Sequence, residues 1–338
     1  MFKIEKSQIE TIKHVCKSAA SRHMNQAFEC VLINADSNSG VVVLTAGNGT
    51  IEMSSSLSCE VKSSFVIAVN AQKFMQSVES CGDPDVSLKD QLIVKSGRRQ
   101  FKIQTVTADA YPQFPESVDE NKLDISASDL ISTIKSVSFA AAKNDVRYVL
   151  NGVHIGDDAV ATNGHRMSYT SLNLKGSAIV DIDAVNRIPP TITGDVYLSD
   201  NVLSIVNEFE SFKCKLIDGK YPDYKSVIPK EFNHEVTVNR LDFIDALKAA
   251  RINAPESGNV AIKFCNESII NSRSGKQEDA AIGFDCETSS DFDMGFNSSY
   301  LIEALSVLNC DSVEMKFTDN LVYIESDGIK NTVAMCRI

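Results

Sequence analysis

The sequence has 338 residues, of which 43% are hydrophobic and 23% charged, and its formal net charge is −12. This length predicts two or three domains rather than one core. No apolar run approaches the roughly 20 residues that cross a bilayer, and the charged start MFKIEKSQIE argues against a secretory signal, so we expect no membrane partner.

Nine cysteines are scattered along the chain, and none lies closer than 14 residues to the next. This spacing excludes CxxC metal knuckles and CxxC redox pairs, so we expect neither a metal nor another cofactor. An odd number of scattered thiols is typical of the reducing cytoplasm, which is the expected location.

The first repeated pattern is a short strand followed by a helix. It begins as FKIEKSQIETIKHVCKSAA, where Ser7 and Glu10 predict a capping box, and returns as LDISASDLISTIKSVSFAAA and HEVTVNRLDFIDALKAARI. Each copy has a lysine directly after the second apolar residue of the helix: Lys13, Lys135 and Lys248. These lysines lie off the predicted buried face of each helix.

A second pattern also repeats. Residues 66–97 parallel residues 294–328, with Asn70 matching Asn297 at a spacing of 227. The middle copy keeps the strands, but Pro189 and Pro190 predict a shortened helix. We therefore predict an α+β chain of three similar domains, residues 1–118, 119–232 and 233–338, each packing helices against antiparallel sheet.

The three predicted domains differ in charge. Residues 1–118 carry 12 basic and 12 acidic residues, residues 119–232 carry 12 and 16, and residues 233–338 carry 9 and 17. Because the first domain is neutral and the third strongly acidic, the asymmetry favours head-to-tail association of the first domain with the third.

The stretch VATNGHRMSY places Asn163, Gly164, His165 and Arg166 side by side. As an active site it lacks companions, because no GxSxG elbow, neighbouring cysteine or suitably spaced second histidine accompanies it. An enzyme that uses His165 with Asp145 or Asp223 stays an alternative.

Four stretches occur in the order DVRYVLNGVHI with VATNGHRMSY, KLIDGKYPDYKSVIP, MGFNSSYLIEALSVLNCDSVEMKFTD and AMCRI. Together they resemble the bacterial sliding clamp, the β subunit of DNA polymerase III, over essentially the whole chain. The resemblance implies a non-enzymatic processivity factor. Two chains of three clamp domains would close a ring around duplex DNA, with helices lining the hole and antiparallel sheets outside.

The resemblance also implies a pocket between the second and third domains for short peptides. Its expected partners are the DNA polymerase III α subunit, the clamp loader and other proteins with a clamp-binding motif. The expected pocket residues combine apolar walls with backbone and side-chain polar groups. They are Leu150, Thr162, Gly164, His165, Arg166, Met167, Pro222, Val227, Asn297, Tyr300, Met335, Cys336, Arg337 and Ile338.

A sliding ring must attract phosphates without reading bases. The residues expected to face DNA are Lys13, Lys17, Arg22, Lys73, Lys135, Lys143, Asn144 and Lys248. The expected edges of the homodimer are Arg98, Arg99, Phe101 and Ile103 on one side, and Arg251, Ile252, Glu278 and Asp279 on the other.

The chain also departs from the family pattern. Its end reads AMCRI instead of an MPMRL-like stretch, Ser226 replaces a basic residue, and Arg251 stands where an aliphatic interface residue is usual. A second alternative, supported by Arg251 and the shortened middle helix, is an adaptor that keeps the peptide pocket without forming a working ring.

Overall fold

The computed structural model describes residues 1–115, 121–274 and 278–337. Ile338 and the expected domain border at residues 118 and 119 lie outside the described residues. In the described part of the chain each repeat contributes two α-helices. They are α1 (Ile9–Ser18), α2 (Ala71–Cys81), α3 (Ala127–Ser138), α4 (Ile182–Arg187), α5 (Arg240–Arg251) and α6 (Ser298–Ser306).

Strands make up most of the remaining regular structure. The first repeat contains β1 (Phe2–Lys3), β2 (Cys30–Asp36), β3 (Val41–Gly47), β4 (Ile51–Ser58), β5 (Phe65–Asn70), β6 (Asp85–Leu88), β7 (Leu92–Ser96), β8 (Arg99–Ile103) and β9 (Thr105–Thr107). The middle repeat contains β10 (Asn121–Lys122), β11 (Gly152–Ile155), β12 (Asp158–Thr162), β13 (Arg166–Ser171), β14 (Ala178–Asp181), β15 (Asp195–Leu198), β16 (Val202–Val206) and β17 (Glu210–Lys215). The third contains β18 (His234–Asn239), β19 (Asn259–Phe264), β20 (Ser268–Ser274), β21 (Glu278–Phe284), β22 (Cys286–Thr288), β23 (Phe292–Asn297), β24 (Ser312–Phe317), β25 (Leu321–Ser326) and β26 (Ile329–Ala334).

The strands form two small sheets and two large ones. The four-stranded sheets have the orders β1-β6-β7-β8 and β21-β20-β19-β23. The nine-stranded sheets have the orders β10-β15-β16-β17-β4-β3-β2-β5-β9 and β14-β11-β12-β13-β26-β25-β24-β18-β22. Each large sheet joins two successive repeats, through the antiparallel pairs β4–β17 and β13–β26.

The chain divides into two compact units, residues 1–131 with 183–216, and residues 132–182 with 217–338. This division follows from the shared sheets, because half of the middle repeat pairs with the first repeat and half with the third. The expected domains at residues 1–118, 119–232 and 233–338 stay a prediction.

Asparagine side chains begin equivalent helices in the first and third repeats. Asn70 Oδ1 accepts a hydrogen bond from the backbone N of Lys73 at 3.0 Å, and Asn297 Oδ1 accepts from Ser299 at 2.9 Å. Such N-caps satisfy backbone donors that a helix start leaves unpaired. The match of these two asparagines in the sequence was therefore a true structural repeat.

The start of α1 differs from its prediction. The expected capping box of Ser7 with Glu10 is wrong, because α1 follows a short 3-10 turn in which Gln8 Oε1 accepts from the backbone N of Glu5 at 3.0 Å. The shortened second helix of the middle repeat is confirmed: α4 has six residues and ends at Arg187, ahead of Pro189.

The helices of the third repeat bury one face in the core of that repeat. In the third repeat Phe243 and Leu247 of α5 and Leu301 and Leu305 of α6 are each at most 2% exposed and belong to one buried cluster with Phe317. Strand β4 alternates buried and half-buried residues along seven positions, as a sheet with one covered face requires.

Candidate functional site

The loop between β12 and β13 is a tight turn organised by its own side chains. Thr162 Oγ1 donates to the carbonyl of Arg166 at 2.6 Å and accepts from the backbone N of Gly164 at 3.0 Å. Asn163 Oδ1 accepts from the backbone N of His165 at 2.9 Å and of Arg166 at 3.1 Å. Thr162 and Asn163 therefore fix the turn, and this leaves His165 exposed.

Gly164 is required by both conformation and space. Its φ is +88°, in the left-handed region, and a Cβ at this position would lie 2.9 Å from Arg147 Nη1. The Arg147 guanidinium closes over the turn by donating to the carbonyl of Asn163 at 3.1 Å.

Asp145 is committed to Arg147. Their side chains form a bidentate pair, with Nε–Oδ1 at 3.0 Å and Nη2–Oδ2 at 2.9 Å, and these bonds hold the pKa of Asp145 at about 2. A carboxylate held this way is a poor proton acceptor at neutral pH, which counts against an enzyme that uses His165 with Asp145.

Arg166 is turned into the protein. Its side chain is 9% exposed and forms an ion pair with Glu303 of α6. Its Nη2 donates to the carbonyl of Phe139 at 2.5 Å, and its guanidinium carbon lies 4.5 Å from the centre of the Tyr300 ring. In this arrangement the Arg166 side chain holds β13 to α6, and its expected contact with a peptide stays a prediction.

Asn297 is likewise occupied. Its Oδ1 caps α6 and its Nδ2 donates to the carbonyl of Ser257 at 2.6 Å. Asn297 therefore has a structural role as a helix cap, and its expected contact with a peptide stays a prediction.

The expected apolar walls separate into buried and exposed residues. Leu150 and Met167 are 2% and 4% exposed and belong to a packed cluster with Tyr221. Val227 is 58% exposed and Met335 is 41% exposed, and Pro222 is exposed as well. Of the expected apolar walls, Val227, Met335 and Pro222 are therefore open to solvent, whereas Leu150 and Met167 belong to the core.

Two further exposed apolar residues flank this surface. Val146 is 95% exposed and Tyr148 is 59% exposed. Tyr148 lies against the segment that carries Pro222 and Val227, because its hydroxyl is 3.1 Å from the Cβ position of Gly219. Sequence reasoning missed both residues, although they lie inside the motif DVRYVLNG.

The segment from Tyr221 to Val227 is anchored by aromatic contacts. The His154 ring stacks on Tyr221 with centroids 5.1 Å apart, and Tyr224 Oη donates to Asp158 Oδ2 at 2.7 Å. Burial lowers the pKa of His154, against the smaller opposing effect of Asp158. A neutral His154 therefore fits this packing.

The C-terminal segment reaches the same turn. The backbone N of Ala334 donates to the carbonyl of His165 at 2.8 Å, so Met335 follows directly beside the loop. Cys336 is half-buried, and its backbone N donates to Gly295. Arg337 also lines a cavity of about 400 Å³ with Arg273 and Asp279 of the third repeat, and its expected contact with a peptide stays a prediction.

The residues expected to face DNA do not all offer a free charge. Lys13 Nζ lies 2.6 Å from Glu10 and 2.9 Å from Glu79, so two carboxylates neutralise it. Lys248 lies 3.3 Å from Asp245, with both side chains exposed. Burial lowers the pKa of the half-buried Lys135. The remaining members are exposed: Lys17, Arg22, Lys73, Lys143 and Asn144, the last with φ at +56°.

The expected interface residues lie at two sheet edges and one helix end. Arg98 and Arg99 are exposed and Phe101 is half-exposed, all in or beside β8. Glu278 and Asp279 are exposed on β21, and Arg251 and Ile252 are exposed at the end of α5, Ile252 by 81%. Ile103 is 4% exposed within its own unit, so little of its side chain is open in the single chain, and its interface role stays a prediction.

Three family models match the chain in order. The N-terminal, central and C-terminal domains of the DNA polymerase III beta subunit match residues 1–115, 124–223 and 225–333. The chain belongs to the DNA polymerase III beta subunit family.

Individual members of the family resemble the chain over most of its length. The beta sliding clamp of Vibrio cholerae is 27% identical and the alignment covers 94% of this chain and 93% of that one. The clamp of Proteus mirabilis is 29% identical over 72% of each chain.

Solved structures agree with the fold. The DNA polymerase III subunit beta of Pseudomonas aeruginosa superposes with a TM-score of 0.88 at 25% identity, covering 100% of both chains. The beta subunit from Streptococcus pyogenes, at 22% identity, has a TM-score of 0.89 over 100% of both chains. The α+β architecture of three clamp domains is thereby confirmed.

Membership of this family assigns the function at a coarse level. The protein is a DNA sliding clamp, a processivity factor that works with DNA and polymerase partners and is not an enzyme. Within the described ranges, no helix is long and apolar enough to cross a membrane, and no cluster of three or more metal-ligating side chains occurs.

Proposed function

We propose that two copies of this chain close a cytoplasmic, head-to-tail ring around duplex DNA. The observation that supports the ring is a pair of open sheet edges. β8 and β21 each lie at the end of a four-stranded sheet, and neither pairs with a further strand among the described residues. Open edges invite pairing with another strand, and a second copy offers one of each kind.

The chemistry of the two edges is complementary. The β8 edge carries exposed Arg98 and Arg99 with half-exposed Phe101, whereas the β21 edge carries exposed Glu278 and Asp279 beside Ile252. Opposite charges on the two edges favour the heterologous contact over self-association of like edges.

The molar mass in solution tests this proposal. One chain has a mass of 36.9 kDa, so light scattering over a range of concentrations should give twice that value. The dimer should then remain on a circular duplex after loading and be lost when the circle is cut. A persistent monomer at micromolar concentration would overturn the ring and favour the adaptor.

The exposed apolar residues around His165 form the proposed peptide pocket. Val227, Met335, Pro222, Val146 and Tyr148 supply contact area, while the exposed His165 supplies a polar side chain. These groups suit a short linear peptide with leucine-like or phenylalanine-like anchors, carried by the DNA polymerase III α subunit, the clamp loader and other clamp-binding-motif proteins. Methionine at position 335 suits a surface that accepts several partners.

A labelled synthetic peptide with leucine and phenylalanine anchors tests the pocket. Val227→Asp and Met335→Asp should each weaken its binding at least about 10-fold, since a carboxylate replaces apolar contact area. Val106→Asp is the matched control, because Val106 is also 41% exposed but lies on β9 in the other unit. Equal loss in the control, or no loss in either pocket variant, would refute the site.

A further inference from the structure

The two junctions inside the chain share one register. In the first, Phe212 of β17 pairs with Met53 of β4, and Lys213 pairs with Glu52. In the second, Asn331 of β26 pairs with Ser168 of β13. Each junction pairs a strand from the last hairpin of one repeat, β17 or β26, with a strand of the preceding repeat, β4 or β13.

One partner in each junction comes from the last hairpin of a repeat. Ser326 pairs with Ile329 across a two-residue turn, and Ser96 pairs with Arg99 across another. Two residues further on, Asn331 and Phe101 therefore occupy the same position. Phe212 occupies it in the middle repeat, since it pairs with Ile205 as Phe101 pairs with Val94.

The other partner is located by counting from the helix caps. Cys30 pairs with the cap Asn70, and Asn259 pairs with the cap Asn297. In the first repeat Leu32, two residues after Cys30, pairs with Thr45, which pairs with Ser54. In the third repeat Ala261, two residues after Asn259, pairs with Asn271, which pairs with Ala281. Ala280 in the third repeat therefore corresponds to Met53.

The middle repeat gives the same count independently. Gly152 pairs with Asp181, the residue before α4. His154, two residues further on, pairs with Val160, which pairs with Tyr169. Ser168 thus corresponds to Met53 and Ala280. The two internal junctions therefore predict the same register for a pair between β21 and the β8 strand of a second copy.

We propose that β21 pairs antiparallel with the β8 strand of a second copy in this register, with Phe101 opposite Ala280 and Lys102 opposite Asp279. The inference rests on the proposed ring and adds its register and a charge pair. Lys102 was not among the interface residues expected from the sequence.

The side chains fit this register on both faces of the sheet. Lys102 matches Lys213, and Asp279 matches Glu52, so the cation and the acid keep the same strands as in the first internal junction. Lys102 and Asp279 are exposed, and within the described chain no ion pair engages either side chain. On the opposite face the large Phe101 meets the small Ala280, beside half-buried Ile282.

A shifted register loses these matches. A slip of one residue turns every side chain of one strand to the other face, which would place Lys102 on the apolar side of β21. A slip of two residues keeps the faces but sets Lys102 opposite Ala281, leaving Asp279 without the lysine. The proposed register is therefore also the one that pairs opposite charges.

Disulfide trapping distinguishes the registers. Gln100 and Ala281 are opposite in the proposed register, so a chain with Gln100→Cys and Ala281→Cys should give a covalent dimer under mild oxidation. The matched control combines Gln100→Cys with Gly283→Cys, which meet only after a slip of two residues. The parent chain, with its nine native cysteines, sets the background.

Charge reversal supplies a second readout that needs no cysteine. Lys102→Glu and Asp279→Lys should each raise the Kd of the dimer about 10-fold, since like charges directly opposite destabilise a strand pair at both junctions of the ring. Combining the two reversals should recover most of that loss. Lys95→Glu, an exposed lysine on β7, should leave the Kd within about 2-fold.

The outcomes separate the register from the ring. If the parent chain is a dimer and the Gly283 pair traps it, or neither pair does, the register is overturned while the ring stands. If the dimer of the double charge-reversal variant has a higher Kd than that of either single variant, the Lys102–Asp279 pair is overturned. A parent chain that stays monomeric overturns the ring itself, and the register with it.

Discussion

The Arg166 guanidinium lies 4.5 Å from the centre of the Tyr300 ring, and its side chain is 9% exposed. The same group pairs with Glu303 and donates to the carbonyl of Phe139, so three contacts from two segments, α6 and the residues after α3, converge on one cation. Burial removes the hydration of the guanidinium, and each of these partners replaces part of that lost interaction.

Replacing Arg166 should therefore cost stability as well as disturb the loop. We expect Arg166→Ala to lower the free energy of unfolding by about 2–3 kcal/mol, less than for a fully buried pair because Glu303 is 49% exposed. Urea denaturation measures the change. Arg147→Ala is the control: its pair with Asp145 is 55% exposed on the arginine side, so its loss should lower stability much less than Arg166→Ala does. Equal losses would show that the buried contacts add nothing.

The turn at Gly164 gives a prediction that separates strain from binding. Gly164→Ala should cost about 1 kcal/mol, because an alanine in the left-handed region is strained. Gly328→Ala is matched, since Gly328 has φ at +77° and no atom within 4 Å of its Cβ position. Gly164→Ala should lose at least as much stability as Gly328→Ala in urea denaturation, because its methyl group also displaces the Arg147 guanidinium.

Peptide binding should distinguish the two glycine variants. At Gly164 the new methyl group displaces the Arg147 guanidinium, which lies 2.9 Å from the Cβ position. Titration of the labelled peptide should show weaker binding for Gly164→Ala and parental binding for Gly328→Ala. Parental binding in both variants would remove the turn from the pocket.

Sequence patterns anticipated the features that depend on local order. The caps at Asn70 and Asn297, and the short α4 ahead of Pro189, were visible because capping and proline effects act within a few residues. The burial of Ile103 was also within reach, since it alternates with exposed Lys102 along β8.

The interactions that were missed join residues distant in sequence. Arg166 meets Glu303 across 137 residues, and Lys13 meets Glu79 from a different helix. No periodicity encodes such pairs, because they depend on how the two elements pack. For the same reason the sequence could not show which lysines keep a free charge.

The packing of His154 on Tyr221 predicts a pH-dependent stability. The ordinary pKa of histidine is 6.5, and burial lowers the pKa of His154 in the folded chain. As the pH falls below 6.5, His154 therefore takes up a proton more readily in the unfolded chain than in the folded chain. The stability that neutral His154 contributes is complete above pH 6.5 and decreases as the pH falls, until the pKa of the folded chain is passed.

Urea midpoints at pH 7.5 and 5.5 measure this dependence. We expect a lower midpoint at pH 5.5 for the parent chain and a smaller difference for His154→Phe, which keeps a ring against Tyr221. His165→Asn, a change of an exposed histidine, should retain the parental difference. If His154→Phe retains it as well, His154 is not the group responsible.

The glutamates around Lys13 predict how α1 contributes to DNA binding. Lys13 pairs with Glu10 and Glu79, so this cluster of three side chains carries a net charge of −1 and attracts no phosphate. Glu79→Gln should free part of the lysine charge and strengthen DNA retention, whereas Lys73→Gln should weaken it, since Lys73 is exposed on α2.

Binding of duplex DNA measured against salt concentration reads out both changes. In a plot of the logarithm of the binding constant against the logarithm of the salt concentration, the slope should become steeper for Glu79→Gln and shallower for Lys73→Gln. The change should be about 1 or less for each phosphate that the protein begins or ceases to neutralise. Glu60→Gln is the control, because it makes the same change in net charge at another exposed position of this unit. An increase of the same size in Glu60→Gln would assign the effect to total charge and not to Lys13.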